Sequence, residues 1–186
     1  MIRFGLGLST RVSRLAVWAL TIVVLFSASL SANAETIFSE DFQNGKTEGW
    51  VGSGEGDLRL TTYQDNISLR MQYKSAAVRK ISTMGFRSVS MTVAIAAQNL
   101  EPQDACFAEV STDGGKTWAE MLKVGDGQDD AITLHPGGGT TAGLDDNANV
   151  LVGLRASATR RDGTCWADNI QFFGTPKKSA DLAGRI

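Results

Sequence analysis

The stretch AEVSTDGGKTW at residues 108–118 predicts one structural element of the chain. Small or apolar residues alternate with polar ones up to Ser111, which is the spacing of a β-strand. Asp113 and Gly114 then form a dipeptide that tolerates positive φ angles and is a strong signal for a hairpin turn. Residues 117–124 have the composition of a return strand. The stretch therefore predicts an antiparallel hairpin.

The turn of this hairpin resembles the Asp-box motif, whose pattern is Ser-x-Asp-x-Gly-x-Thr-Trp. The matching residues are Ser111, Asp113, Gly115, Thr117 and Trp118. In that motif the aspartate accepts hydrogen bonds from the turn backbone and the tryptophan packs beneath the hairpin. The motif occurs in several secreted β folds and is not catalytic, so it informs about architecture and location rather than about a ligand.

The rest of the chain predicts short strands. No segment after the first 34 residues shows the 3.6-residue periodicity of an amphipathic helix. Besides the hairpin strands, the predicted strands are Thr36–Phe42, Asp57–Tyr63, Ile67–Tyr73, Ala76–Ile81, Val89–Ala96, Ala131–His135, Val150–Ser157 and Trp166–Phe173. Short strands separated by Gly, Asn and Asp turns predict an antiparallel sandwich or barrel.

The beginning of the chain has the features of a secretory signal peptide. Three arginines supply positive charge, an apolar run follows, and the small residues at 32–34 predict cleavage before Glu35. The alternative is a membrane anchor, but the apolar run is near the lower length limit for a spanning helix. We therefore predict an exported protein, secreted or periplasmic, without a membrane span in its mature form.

The predicted organisation is a signal peptide at 1–34, one β-sandwich domain at 35–174 and a flexible tail at 175–186. The chain carries 18 basic and 20 acidic residues, and loss of the three leader arginines moves the net charge from −2 to −5. A mildly acidic domain without a basic stripe predicts no nucleic-acid partner.

The chain has two cysteines, Cys106 and Cys165. In an oxidising compartment such a pair usually forms a disulfide, and two free buried thiols are the alternative. A zinc site would need more ligands than these cysteines and the single histidine, His135. The prediction is a disulfide between the two cysteines.

Three motifs in order resemble the jelly-roll modules of secreted bacterial proteins, a group that overlaps carbohydrate-binding modules and MAM- and laminin-G-like domains. The motifs are EDFQNGKTEGW at 40–50, VSTDGGKTW at 110–118 and WADNI at 166–170. The resemblance covers most of the mature chain and implies a single antiparallel jelly-roll β-sandwich. It also implies a structural calcium ion between the terminal strands. Many such modules have a glutamate after the first-strand phenylalanine, whereas Gln43 follows Phe42 here.

Both terminal strands carry an acid on a face that is otherwise apolar. Alternate positions place Glu40 among phenylalanines in the first strand, and Asp168 among Trp166, Ile170 and Phe172 in the last strand. A buried carboxylate must be protonated, paired or bound to a metal, because burial of an isolated charge is costly. Two nearby carboxylates therefore favour a cation between them.

Calcium suits this arrangement because it takes several oxygen ligands. The predicted ligands are Glu40 and Asp168, with Asp41 and Asn169 as neighbours if the register shifts by one. The alternative is an arginine partner, such as Arg79 or Arg155, or an acid that lies in water at a strand end. The acidic loop 125–149 lacks the EF-hand spacing and predicts a solvated loop rather than a second calcium site.

Exposed aromatic side chains are the usual platforms for sugar rings, and a few polar groups then fix the orientation of the sugar. Tyr63 and Tyr73 lie at strand ends and are predicted to face a ligand. The tryptophans of the three motifs, Trp50, Trp118 and Trp166, are interpreted as packing residues. The sequence therefore predicts a polysaccharide or glycan as the ligand.

No catalytic constellation is recognisable. His135 lies in the loop-like run HPGGG, and paired carboxylates spaced for glycoside hydrolysis are missing. We predict a non-catalytic binding or adhesion module. Two alternatives stay open: an envelope interaction or structural protein that binds a cell-surface protein, and a polysaccharide lyase or hydrolase that uses His135 with Tyr63 or Tyr73.

Overall fold

The computed structural model describes residues 34–178, and its secondary structure consists of strands. They are β1 (Glu35–Glu40), β2 (Trp50–Gly54), β3 (Leu58–Tyr63), β4 (Asn66–Gln72), β5 (Lys74–Ile81), β6 (Phe86–Gln98), β7 (Ala105–Ser111), β8 (Ala119–Gly125), β9 (His135–Gly139), β10 (Val150–Ser157) and β11 (Thr164–Pro176). The predicted signal peptide, apart from Ala34, lies outside the described residues. A search of the described part of the chain for a helix long and apolar enough to span a membrane finds none.

Two antiparallel sheets pack against each other, which confirms the predicted all-β jelly-roll sandwich. Sheet A has the order β3-β4-β11-β6-β9, with β1 paired to β11, and sheet B has the order β2-β5-β10-β7-β8. Neighbours in a sheet are often distant in sequence, so the chain crosses repeatedly between the layers. The core lies between the sheets, where Leu69, Ile95, Val152, Leu154 and Phe172 are completely buried.

A disulfide links the two sheets. Cys106 lies in β7 of sheet B and Cys165 in β11 of sheet A, and their Cα atoms are 5.7 Å apart. The predicted pairing of the two cysteines is confirmed. Both residues are completely buried, so the bond is part of the core.

Two segments differ from the predicted strands, and both are rich in glycine. β2 (Trp50–Gly54) was not predicted, and only Trp50 of its residues is buried. The predicted strand Ala131–His135 is wrong, because the strand is β9 (His135–Gly139). Gly138 has a φ of 146°, and a Cβ there would lie 2.1 Å from a backbone oxygen of β6. Glycine is therefore needed for β9 to approach β6. Because glycine has a low strand propensity, the sequence of β9 does not predict a strand.

The sandwich extends two residues beyond the predicted domain end at 174. Pro176 pairs with Phe86 of β6, and the next backbone N–H, of Lys177, donates to the carbonyl of Gly85 at 2.7 Å. The Lys177 ammonium also lies 2.7 Å from the Asp146 carboxylate. The first part of the predicted tail is therefore held by strand pairing and an ion pair, and residues 179–186 lie outside the described range.

A β-bulge in β11 changes the side of the sheet on which the Asp168 side chain lies. Asn169 has a φ of 54°, and the register with β6 shifts immediately after Asp168. Ile170 and Phe172 belong to the core, whereas Trp166 and Asp168 face away from it. The prediction that these side chains share one face is wrong, because the extra residue of a bulge reverses the alternation.

Candidate functional site

The outer face of sheet B is lined by alternate residues of its strands. In the central strand β10, Val150, Val152 and Leu154 are buried in the core, so the residues between them face outward. These outward residues are Leu151, Gly153, Arg155 and Ser157. The register places one residue of β5 and one of β7 beside each of them.

Three pockets lie along β5 and β10 on this face and are together called the groove, and the two that adjoin share Ala76 and Arg155. The central pocket, of about 350 Å³, is lined by Ala76, Val78, Glu109, Trp118, Gly153, Leu154 and Arg155. The lysine pocket, of about 290 Å³, adjoins it and is lined by Gly54, Lys74, Ser75, Ala76, Arg155, Ala156 and Ser157. The turn pocket, of about 460 Å³, lies at the other end and is lined by Lys80, Thr112, Asp113, Gly114, Asn147, Asn149 and Leu151. The groove therefore offers room for an elongated ligand.

Trp118 provides an aromatic surface at the centre of the groove. Its indole lies over Gly153, where a Cβ would come within 2.7 Å of Trp118 Cζ3. The side chain is 38% exposed, and it is the aromatic member of the exposed large hydrophobic residues in the described range. The interpretation of Trp118 as a packing residue is therefore incomplete, because one side of the ring packs on the sheet and another remains open to solvent.

The turn before Trp118 is organised by the side chain of Asp113. One carboxylate oxygen accepts hydrogen bonds from the backbone N–H groups of Lys116 and Thr117 at 3.0 and 2.9 Å. The other accepts the Thr117 hydroxyl at 2.6 Å, and the Ser111 hydroxyl donates to the carboxylate at 2.8 Å. These bonds, led by those from Thr117, hold the pKa of Asp113 well below its usual range. The turn therefore fixes the position of Trp118 over the groove.

Arg155 lies where the central pocket and the lysine pocket meet. Its guanidinium is 4.0 Å from the centroid of the Phe107 ring and donates to both oxygens of Glu109, from Nη2 at 2.8 Å and from Nε at 3.3 Å. Lys123 Nζ lies 5.7 Å from the same Phe107 ring. The stacking and the paired hydrogen bonds hold a planar group with donors at a fixed position beside Trp118.

The tyrosines that were predicted to bind a ligand lie outside this groove. Tyr63 is 6% exposed and stacks on Trp166 of sheet A with ring centroids 5.0 Å apart, so its burial contradicts the prediction. Tyr73 lies between β4 and β5, with Lys74 Nζ and the Arg161 guanidinium 5.3 and 5.2 Å from its ring centroid. A role for Tyr73 in binding stays a prediction.

Of the predicted calcium ligands, Glu40 has an arginine partner. The Arg79 guanidinium donates to its carboxylate at 2.8 Å, the Trp50 indole at 3.4 Å and the backbone N–H of Phe42 at 3.2 Å. Glu40 therefore follows the alternative prediction, in which an arginine rather than a metal ion pairs with the acid. Residues 34–178 contain no group of three or more His, Cys, Asp or Glu side chains placed to hold a metal ion.

Asp168 is buried, with 2% of its surface exposed. Its carboxylate accepts the Ser68 hydroxyl at 3.0 Å and the backbone N–H of Asn169 at 2.7 Å. Burial raises the pKa of Asp168, and the charges of Asp41 and Glu40 raise it further against the opposing effect of these hydrogen bonds. The carboxylate is therefore a destabilising charge in the metal-free fold.

Asp168→Asn is expected to stabilise the metal-free protein relative to wild type, increasingly so as the pH rises. An acid whose pKa is raised in the fold costs no stability below its unfolded pKa, about 3.9, and its full cost appears above the folded value. Urea unfolding in chelator between about pH 3 and pH 8 measures the difference. Asp57→Asn, at an exposed carboxylate paired with Arg70, is the control. A difference that shrinks with rising pH would contradict the expectation.

Solved structures with a similar fold include carbohydrate-binding modules. No protein family matches the sequence, and no curated protein matches it. The CBM22-1 xylan-binding domain of Xyn10C from Paenibacillus barcinonensis is 14% identical, with a TM-score of 0.52, over 78% of this chain and 98% of that chain.

Two further structures are similar at the level of the fold. A CBM61 module solved in complex with β-1,4-galactotriose is 10% identical, with a TM-score of 0.57, over 72% of this chain and 94% of that chain. The K3 adhesin domain of Lys-gingipain from Porphyromonas gingivalis w83 is 15% identical, with a TM-score of 0.54, over 76% of this chain and 99% of that chain. At these identities the likeness shows a common β-sandwich fold.

Proposed function

We propose that this protein binds a polysaccharide in the groove on sheet B and that it is a binding module rather than an enzyme. The observation that carries the proposal is Trp118, whose exposed indole lies over Gly153 at the centre of the groove. Sugar rings stack on such aromatic surfaces. The structural likeness to modules described with xylan and with galactotriose supports this ligand class.

The residues beside Trp118 supply the polar contacts that orient a sugar. Arg155 offers guanidinium donors and Glu109 offers carboxylate acceptors, and each holds the other in place. Ala76 and Val78 form an apolar floor. An apolar surface with few convergent polar groups is typical of ligand sites. The enzymatic alternative uses His135 together with Tyr63 or Tyr73. Tyr63 is buried, and His135 Nε2 lies 2.9 Å from the backbone carbonyl oxygen of Gln128.

The place of action that we propose is outside the cytoplasm, either secreted or periplasmic. The disulfide between Cys106 and Cys165 supports this, because disulfides form and persist in oxidising compartments. The signal-peptide pattern at 1–34 supports it independently.

The function is tested by screening residues 35–186 against an array of plant, algal and bacterial polysaccharides, followed by titration calorimetry with the best oligosaccharide. The expected result is saturable binding to at least one polysaccharide. Saturable capture of a cell-surface protein without any glycan binding would instead support the alternative of a protein-interaction module. The enzymatic alternative predicts new reducing ends or unsaturated products when the protein is incubated with the same polysaccharides.

We also propose a structural calcium ion, with Asp168 and Asp41 as the acids left to bind it, because Glu40 is already neutralised by Arg79. The raised pKa of Asp168 supports the proposal, since a cation would offset the cost of that buried charge. Calcium is expected to raise the melting temperature of metal-free wild type and to leave Asp168→Asn unchanged. Identical wild-type melting curves in chelator and in calcium would contradict the proposal.

A further inference from the structure

We infer, on the basis of the proposed function, that the groove selects acidic polysaccharides and that the lysine pocket takes the carboxylate of a uronic acid. Charge is unevenly distributed over the surface of the domain. Residues 34–178 contain 14 basic and 19 acidic side chains. The outward-facing strand residues of sheet B have the opposite balance, because the charged ones among them are Lys74, Lys80, Arg155 and Lys123 against Glu109 and Glu120, and Asp113 lies in the turn beyond these strands.

The lysine pocket has the chemistry of an anion site. Two cations, Lys74 and Arg155, and the hydroxyl-bearing Ser157 are among its lining residues, and no carboxylate of the described chain lines it. Lys74 forms no ion pair within the described range. Charge-assisted hydrogen bonds from lysine and arginine to a carboxylate are stronger than neutral ones, so an acidic group is the best match for this pocket.

Arg155 has donors left for a ligand. Its contacts with Glu109 use Nε and Nη2, and the hydrogen bonds found in residues 34–178 leave Nη1 available on the same rigid plane. Glu109 lines the central pocket and not the lysine pocket. The acid that neutralises Arg155 therefore lies on the side of Trp118, and the other side of the guanidinium is open to an anion.

The two pockets are spaced for neighbouring units of one chain. They share Ala76 and Arg155, and the distance along β10 from Gly153 to Ser157 is roughly 13 Å at about 3.3 Å per residue. This length accommodates a short oligosaccharide. One sugar ring stacks on Trp118, and the carboxylate of a unit further along reaches Lys74.

The inference is tested with polygalacturonate, alginate and glucuronoxylan, each compared with its carboxyl-reduced form, which keeps the backbone and loses the charge. Wild type is expected to bind one acidic form about tenfold more tightly than its reduced form, which corresponds to one charge-assisted hydrogen bond. Lys74→Gln is expected to remove most of this preference, because it lowers the affinity for the acidic form much more than the affinity for the reduced form. Lys46→Gln removes the same charge at an exposed loop position outside the groove and is the matched control.

The outcomes separate this inference from the proposed function. Equal affinity for acidic and reduced forms would overturn the acidic preference while the binding function stood. Equal effects of Lys74→Gln and Lys46→Gln would overturn the lysine pocket as the carboxylate site. Failure to bind any polysaccharide, neutral or acidic, would overturn both. The acidic preference is also expected to weaken between about 0.05 and 0.5 M salt, because partly exposed charges are screened.

Discussion

Trp118→Ala is expected to weaken polysaccharide binding by roughly 30-fold or more while the domain stays folded. Central aromatic residues dominate binding energies, and loss of one costs about 2 kcal/mol or more, which is roughly 30-fold in affinity. The cost to stability should be below the 3–5 kcal/mol that is typical for a buried tryptophan, because the side chain is 38% exposed. Calorimetric titration and urea unfolding of the same preparation measure the two effects.

Two further variants distinguish a stacking role from a structural one. Trp118→Phe keeps an aromatic surface and is expected to retain part of the affinity. Gly153→Val introduces a side chain where even a Cβ lies 2.7 Å from the indole, so it should displace Trp118 and weaken binding. Val51→Ala, at an exposed edge position of the same sheet, is the control. A folded Trp118→Ala variant with wild-type affinity would refute the assignment of the groove.

Removal of the disulfide is expected to cause the largest loss of stability. Cys106 and Cys165 are 59 residues apart, and closing a loop of this length in the unfolded chain contributes on the order of 4 kcal/mol in the chain-entropy estimate. The double variant Cys106→Ala, Cys165→Ala also loses buried sulfur atoms. Its free energy of unfolding is therefore expected to be lower by roughly 3–5 kcal/mol, as for other disulfides of small secreted domains.

The measurement is urea unfolding of the double variant and of wild type, each with and without reductant. Wild type is expected to lose stability in reductant and to approach the double variant, whereas the double variant should not respond. If the double variant matched oxidised wild type, the disulfide would have no stabilising role. If non-reducing peptide mapping of exported protein found two free thiols, the bond would be absent in the mature form.

Much of the fold was predictable because its strands alternate or are rich in β-branched residues. β10 (Val150–Ser157) has the predicted bounds. β2 and β9 could not be recognised, because their glycines serve close packing at sheet edges and carry no strand signal. The bulge at Asn169 was also invisible, since asparagine tolerates positive φ without requiring it, and one inserted residue reversed the orientation of Asp168.

The candidate site depended on contacts between residues far apart in the sequence. Trp118 belongs to a motif that predicts packing, and its exposure follows only from its position over Gly153, on another strand of sheet B. Likewise, the carboxylate of Glu40 meets Arg79 across the fold. Arg79 is one of the predicted alternative partners, but residue spacing alone does not distinguish this ion pair from a bound metal ion. The groove could therefore be found only from the pairing of β5, β7 and β10.

The pairing of β1 with β11 determines which face of the domain stays accessible when the domain is attached through one of its ends. Glu35 and Gly174 are partners in sheet A, so the chain enters and leaves the sandwich side by side. The groove is on the outer face of sheet B, in the opposite layer. An anchor, a solid support or a fused protein attached through either end would therefore leave the groove facing away from the attachment point, and biotin placed at one end should immobilise the domain with its groove accessible.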